Sequence, residues 1–217
     1  MPSPTPCDCP GCPNVFSGDE AEKDLRRYRE KGPDPTTRAL LDAIRARGID
    51  GATVLDIGGG VGAIQLELLA AGAASTVSVD ASTDFVAVAR AEAERRGFAD
   101  RTRHLAGDFV ALADELDPAD VVTLDKVVCC YRDFAVLIDR SASHARRMLG
   151  LVYPRDASWV RAIARIMNLG YRLFRRPTRF HIHPQDQVDR LIRDAGFEAH
   201  PVQRGVVWQV VVYDKAA

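Results

Sequence analysis

The stretch "TVLDIGGGVG", residues 53–62, carries Asp56 in an apolar run and then sets four glycines within five positions, 58, 59, 60 and 62. Glycines at such a density supply left-handed backbone torsions and let a ligand approach the main chain. The helical pattern that follows begins with unpaired N–H groups facing the same turn. An apolar strand, a carboxylate, a glycine turn and a helix in that order describe a binding corner at the carboxyl end of a β-strand, where ligands of open α/β sheets sit.

Outward from this corner the pattern alternates. A strand over 52–57 and a helix over 61–71 are followed by a strand at 76–80, a helix at 84–96 and a short strand at 103–106. A short helix at 109–116, the apolar strand "ADVVTLD", a helix at 134–147 and a strand at 148–152 continue the series. Upstream, "PDPTTRALLDAIRAR" has Leu40, Leu41 and Ile44 at helical spacing, Thr or Asp available as caps, and Gly48 as the stop. Strands alternating with helical periods imply a parallel sheet covered on both faces. The rhythm breaks after the fifth strand. "DASWVRAIARIMNLGYRLFRR" is a longer helical segment with Trp159, Ile163, Ile166 and Met167 on an apolar face and Arg161, Arg165, Arg172 and Arg176 opposite. "QDQVDRLIRDAGF" resumes helix, and two β-rich runs, "AHPVQR" and "VVWQVVVY", meet around Gly205 as a hairpin. The expected fold is α/β: seven strands, mostly parallel, with helices on both faces and a C-terminal antiparallel hairpin.

Composition bounds the rest. The 217 residues are enough for one substantial core, and 29 Lys plus Arg against 30 Asp plus Glu leave no global field for nucleic acid or an anionic surface. Nucleic acid is therefore not an expected partner. The opening "MPSPTPCDCPGCPNVF" has no charged and apolar regions of a secretory signal, and no apolar run reaches the ~18 residues of a membrane span. A cytoplasmic location is expected. In that compartment the five cysteines are free thiols, metal ligands or redox groups rather than structural disulfides.

A second acid sharpens the reading of the glycine turn. Asp80, in "VSVDAS" with Ala81 after it, ends the second strand, where a carboxylate can accept both hydroxyls of a ribose. With D-x-G-x-G-x-G at 56–62, Asp80, "AGDFVAL" and "VVTLDKVVCC" in register, the chain resembles the class I S-adenosylmethionine-dependent methyltransferases, a Rossmann-like family. The resemblance implies S-adenosylmethionine as cofactor. It further implies that Asp56, Gly58, Gly59, Gly60 and Gly62 wrap its methionine part, and that Asp80 and Ala81 meet the ribose. Asp108 would lie at the adenine amino group, Phe109 against the ring, and Asp125 and Lys126 beside cofactor and substrate. A dehydrogenase shares the glycine turn but predicts neither the Gly-Asp-Phe element nor the closing hairpin.

The acceptor is a small molecule on this reading, its reacting atom oxygen, sulfur or nitrogen. The N-P-P-[YF] motif of amino-group methylation on adenine or glutamine is replaced by "LDKV". A more particular likeness is to the magnesium protoporphyrin O-methyltransferases, which share a tyrosine-bearing N-terminal arm, an Asp ending the fourth strand and a long insert after the fifth; a porphyrin-type carboxylate follows as one candidate acceptor. The chain departs from that pattern in carrying Cys129 and Cys130 where the family tends to have a His-Tyr pair. Asp125, Tyr131 and His181 are the candidates for orienting or deprotonating the acceptor. Residues 1–32 form a cysteine-containing arm on this division and 33–217 the methyltransferase domain, with the insert at about 154–180 acting as a helical lid whose basic face is also compatible with peripheral membrane contact.

All five cysteines fall in two segments. Cys7, Cys9 and Cys12 form C-x-C-x-x-C on the arm, and Cys129 and Cys130 follow the fourth strand. Thiolates so spaced can share zinc or an iron–sulfur cluster. Alternatively the arm thiols are incidental and Cys129 and Cys130 are small buried hydrophobes, or one thiolate activates the substrate. The opposing functional class is a non-catalytic S-adenosylmethionine-binding or metal- and redox-sensing protein that uses the cysteine arm. Tyr28 either folds back over the cofactor or stands exposed on a helix. His181 and His183 alternate on an extended segment and so share one side.

Overall fold

The computed structural model describes residues 18–174 and 179–216. Seven strands form one sheet in the order β3-β2-β1-β4-β5-β7-β6. These are β1 Thr53–Ile57, β2 Ser75–Asp80, β3 Thr102–Ala106, β4 Ala119–Asp125, β5 Ala145–Pro154, β6 Phe197–Arg204 and β7 Trp208–Lys215. The first five pair in parallel, and β7 lies antiparallel between β5 and β6. The helices are α1 Gly18–Lys31, α2 Pro35–Arg45, α3 Ala63–Ala70, α4 Thr83–Arg95, α5 Phe109–Leu112, α6 Phe134–His144, α7 Ser158–Leu173 and α8 Gln185–Asp194.

Alternation along the central strands divides the core into two layers, because successive side chains point to opposite faces. Val54, Val121, Met148, Val152, Val210 and Val212 face α2 and α3 through Leu40, Leu41, Ile44, Ile64 and Leu68. Leu55, Val122, Leu124, Leu149, Leu151, Val211 and Tyr213 face the other way, onto Leu137 and Ile138 of α6 and Val188 and Ile192 of α8. The parallel sheet, the closing hairpin and the helices on both faces are as the sequence pattern implied. Pro201 lies in the edge strand β6 beside an irregularity in its pairing with β7, a position where a residue without an N–H interrupts little.

One boundary differs clearly from the sequence reading. The helix expected through 147 ends at His144, because Ala145 pairs with Ala119 and the strand starts there. Pairing with β4 overrides the helical preference of Ala-Arg-Arg. The sequence reading left open which way the apolar face of α7 points. Its apolar side is turned to solvent rather than onto the domain: only Val160 and Ala164 are buried, and Trp159, Ile163, Ile166 and Met167 are exposed.

Helix α1 packs on the sheet domain. Tyr28 is buried with Leu66 and Ala93, and its hydroxyl donates to Glu67 Oε1 at 2.9 Å while accepting from Arg96 at 2.6 Å. Arg29 donates twice to Glu92, at 2.6 and 3.0 Å. The boundary drawn at residue 32 thus falls between two helices that both contact the domain. Cys7, Cys9 and Cys12 lie outside the described residues.

Candidate active site

The glycine turn closes over β1 as its composition requires. Gly58, Gly60 and Gly62 have φ of 70°, 52° and 84°, a region that side chains with a Cβ rarely adopt. At Gly58 a Cβ would also stand 2.3 Å from Val127 Cγ2, so the turn is packed directly against the loop that leaves β4. A Cβ at Gly60 would meet nothing nearer than Phe85 at 3.9 Å, which leaves open room above that glycine.

Two carboxylates hold the turn from below. Asp56 is buried; its Oδ1 accepts from Thr123 Oγ1 at 2.7 Å and its Oδ2 from Gln65 Nε2 at 3.1 Å. Burial outweighs these two donors, and the neighbouring Asp125 and Asp80 charges add to it, so the carboxyl is pushed up to about 7. Asp80 accepts the Gly60 N–H at 2.9 Å on one oxygen and the Ser82 N–H at 2.8 Å on the other. It ties the glycine turn to the start of α4, and burial raises its pKa.

The third carboxylate, Asp125, ends β4 beside Lys126, which has φ of 63° without being glycine. The Lys126 N–H donates to Val152 O at 2.8 Å, and this bond fixes the reversal. Thr37 Oγ1 donates to Asp125 Oδ2, and Lys126 Nζ lies 3.5 Å from Oδ1. Lys126 Nζ also donates to Asp34 Oδ2 at 2.5 Å. Asp34 in turn caps α2 by accepting from the N–H groups of Thr36 and Thr37. Burial raises Asp125 against the opposing pull of Lys126 and Thr37. At Asp34 burial works in the same direction, but the Lys126 ammonium and the Thr36 hydroxyl outweigh it and hold the carboxyl well below the usual range.

These groups border two adjoining cavities. One, of about 340 Å³, is walled by Ile57, Val79, Phe85 and Phe109, with Gly58, Gly60, Asp80, Ala81, Asp125, Lys126, Cys130 and Tyr131 around them. The other, of about 280 Å³, shares Gly58, Gly60, Phe85, Asp125 and Lys126 and adds Asp56, Gly59, Thr37 and Tyr28. Asp24 of α1 lines both. An apolar slot beside a polar, carboxylate-lined end suits a ligand with a flat aromatic part and a charged or hydroxylated part.

Most residues singled out from sequence meet here, and some do not. Asp56, Gly58, Gly59, Gly60, Asp80, Ala81, Phe109, Asp125 and Tyr131 line one cavity or the other, whereas Gly62 stands behind them as the residue preceding α3. Asp108 is absent from both linings. Its Oδ1 accepts from the Val110 N–H at 3.0 Å, capping α5, and from the Tyr131 hydroxyl at 2.6 Å. It therefore fixes the ring that faces the cavity. His181 also lies off the linings; its N–H donates to Cys129 O at 2.8 Å and its ring stacks 5.8 Å from that of His183. His183 Nε2 donates to the carbonyls of Tyr131 at 2.8 Å and Val128 at 3.1 Å, and its ring stacks on Phe134 at 4.3 Å. It is a bracket for the loop after β4, and burial lowers its pKa. No residue of α7 lines either cavity.

Cys130 lines the larger cavity and Cys129 is buried behind it. The adjacent Cys130 thiol, together with burial, pushes the Cys129 thiol well above its ordinary range and keeps it protonated. Among the described residues no group of three or more His, Cys, Asp or Glu is placed to hold a metal ion. Zinc or an iron–sulfur cluster therefore has no support there.

The pairings Thr37–Asp125 and Asp34–Lys126, 88 and 92 residues apart in sequence, were not read from the sequence, nor were the walls made by Val79, Phe85 and Asp24. The one available signal was "DPTT", a helix-start pattern whose second use is visible only in three dimensions.

Comparison with known proteins agrees with this geometry. Residues 25–202 match a family described as a methyltransferase domain. Ribosomal protein L11 methyltransferase of Dechloromonas aromatica is 31% identical over 104 residues, covering 46% of this chain and 35% of the relative. The chain thus spans about a third of the length of the curated relatives it matches. Among solved structures, magnesium protoporphyrin IX methyltransferase of Synechocystis PCC 6803 with bound SAH is similar over 96% of this chain and 100% of that one, with a TM-score of 0.71 and 20% identity. An O-methyltransferase family protein of Burkholderia thailandensis gives 0.70 at 17% identity, over 94% of this chain and 61% of the other. With its family match extending across the glycine turn, nearly all of both cavity linings and the edge of the hairpin, the chain belongs to the methyltransferase-domain family and has the fold of the class I S-adenosylmethionine-dependent methyltransferases.

Proposed function

We propose that this protein transfers the methyl group of S-adenosylmethionine to a small-molecule acceptor. The observation that carries the reading is the pair of adjoining cavities, one apolar-walled with Asp80 at its rim, the other polar and floored by the glycine turn. The residues fit the cofactor. The open room over Gly60 admits a ligand against the main chain, Ile57, Val79 and Phe109 suit the faces of an adenine, and Asp80 offers acceptors to ribose hydroxyls. The turn at 56–60 and Asp24 suit the polar methionine end. When bound, S-adenosylmethionine supplies a sulfonium methyl group that needs only an aligned nucleophile.

Alignment is then the main task of the chain. Tyr131, held by Asp108, and Lys126, held by Asp34, are the groups that orient an acceptor. A lysine at this position suits an anionic one, of which a carboxylate, as on a porphyrin, is an example. Asp125, raised by burial, is suited to take a proton where the acceptor must lose one. His181 contributes by fixing the Cys129 backbone behind Tyr131.

Turnover of methyl-labelled S-adenosylmethionine against oxygen, sulfur and nitrogen acceptors, carboxylates included, tests the reading. Transfer to at least one acceptor is the expected result, with turnover lowered more than cofactor affinity in Tyr131→Phe, which keeps the ring in the cavity wall and removes only the hydroxyl. Cofactor binding without transfer to any of them would favour the non-catalytic alternative.

A further inference from the structure

The outward apolar face of α7 has a composition that selects its partner. Residues 157–184 contain six arginines and neither Asp nor Glu, in a chain whose net charge is −1. Along the helix, Trp159, Ile163, Ile166, Leu169, Leu173 and Phe174 are all exposed, Ile166 at 70% and Leu173 at 77%. From Trp159 to Phe174 the stripe runs for roughly 20 Å at 1.5 Å per residue. Arg161, Arg165 and Arg172, spaced by four and seven, form a second exposed stripe, opposite Trp159 and Ile163 but bordering Leu169 and lying between it and the buried Val160 and Ala164. Arg161 pairs with Asp156 just before the helix.

The helix is firmly held although its apolar face is uncovered. The Arg155 N–H donates to Val207 O at 2.8 Å and its guanidinium to Gly205 O at 2.9 Å, so the tip of the β6–β7 hairpin is bound to the root of the segment. That tip carries a further outward residue, Val206, exposed at 74%. At the far end Asn168 clasps the Phe180 backbone, donating to its carbonyl at 2.8 Å and accepting its N–H at 2.9 Å. The apolar stripe is thus presented on a fixed support.

We infer that α7 and the β6–β7 tip form a docking face for an anionic membrane surface. A helix with one broad apolar side and arginines along its border sinks its apolar residues to the headgroup boundary while its cations meet lipid phosphates. A second copy of the chain is a poorer occupant: a two-fold contact sets the same patch against itself, and would bring arginine stripes together with no acidic residue of the segment between them. The inference is independent of the methyl acceptor, since its readout is lipid binding.

The test is flotation of the full chain with vesicles of phosphatidylcholine containing about one-third phosphatidylglycerol, beside vesicles of phosphatidylcholine alone. Binding to the anionic vesicles is expected, with little to the neutral ones and less as salt is raised. Arg165→Gln and Arg172→Gln should each weaken it about five-fold, and the pair Ile166→Glu and Leu173→Glu more than about ten-fold. Because all four positions are exposed, the melting temperature should stay at the wild-type value. Absence of binding to anionic vesicles, or binding unaffected by the glutamates, overturns the inference. So does a dimer in light scattering that the glutamates convert to monomer without any lipid binding, which would assign the face to a second copy.

Discussion

Asp56 and Asp80 both sit at the ends of parallel strands, yet the chain treats them differently. Asp80 spends its two oxygens on backbone N–H groups of the turn and of α4, at the rim of the larger cavity. Asp80→Ala should raise the dissociation constant for S-adenosylhomocysteine by roughly ten- to a hundred-fold, the equivalent of about 1.5–3 kcal/mol for hydrogen bonds to a charged group. Calorimetric titration reads this, and an unchanged constant would remove Asp80 from the ribose. Asp56 is the buried one, and its carboxyl stands at about 7 against an ordinary 3.8. Between those values the folded chain binds the proton more tightly than the unfolded chain does. Its contribution is therefore complete below pH 4 and is lost as pH rises through about 7, amounting to roughly 4 kcal/mol. Asp56→Asn should flatten the fall in urea stability as pH rises from 4 to 7, leaving the slopes that Asp80 and Asp125 add in the same direction. An unaltered profile would mean that other groups carry it. Both acids were legible in the sequence, since each follows an apolar run at a strand end. Asp34 and Thr37 were not, because their partners arrive from the far side of the chain, and no local pattern announces a lysine held in a left-handed turn.

Among the elements, α1 depends most on side-chain pairing. Glu92 on α4 is buried between Arg95, the stronger influence, and Arg29, and its carboxyl is pulled down to about 2. Its stabilising effect is present above the usual carboxylate range and disappears as pH falls through about 2. Combining Glu92→Gln with Tyr28→Phe should free α1 from the sheet. Trypsin would then cut within 26–31 in the variant while the remainder survives, and cofactor affinity would fall because Asp24 and Tyr28 wall the site. Digestion of the whole domain at the same rate would show that α1 belongs to one cooperative unit with the sheet. Periodicity identified nearly every element but misplaced one boundary and left one orientation open. The start of β5 is decided by pairing with β4, and the direction in which the apolar side of α7 points is decided by how little of it the domain reaches, Val160 and Ala164 alone. A 3.6-residue period reveals that a helix has two sides without revealing which one the protein covers.

For the whole molecule, the parallel half was readable because each strand is followed by its helix and the apolar residues of β4 and β5 run continuously, as strands buried on both faces do. The hairpin was readable from its two β-rich runs, although nothing in them says that the later run lies inside. Yet β7 sits between β5 and β6, so the strand made after β6 is the one that joins it to the sheet. This order matters while the protein is being synthesised. A ribosome adding ~5–20 residues per second completes β5 several seconds before β7 exists, and in that interval β5 presents an unpaired edge rich in apolar residues. Nascent chains stalled with residue 205 just clear of the tunnel and β7 still inside it should therefore be readily digested through residues 197–205 and bind chaperones, whereas chains stalled with residue 216 well clear of the tunnel should resist. Equal resistance at both lengths would mean that β6 finds a temporary partner. The insertion of β7 makes the fold a late commitment, in which seven residues of ladder, Met148 to Pro154, wait for a single strand to close them.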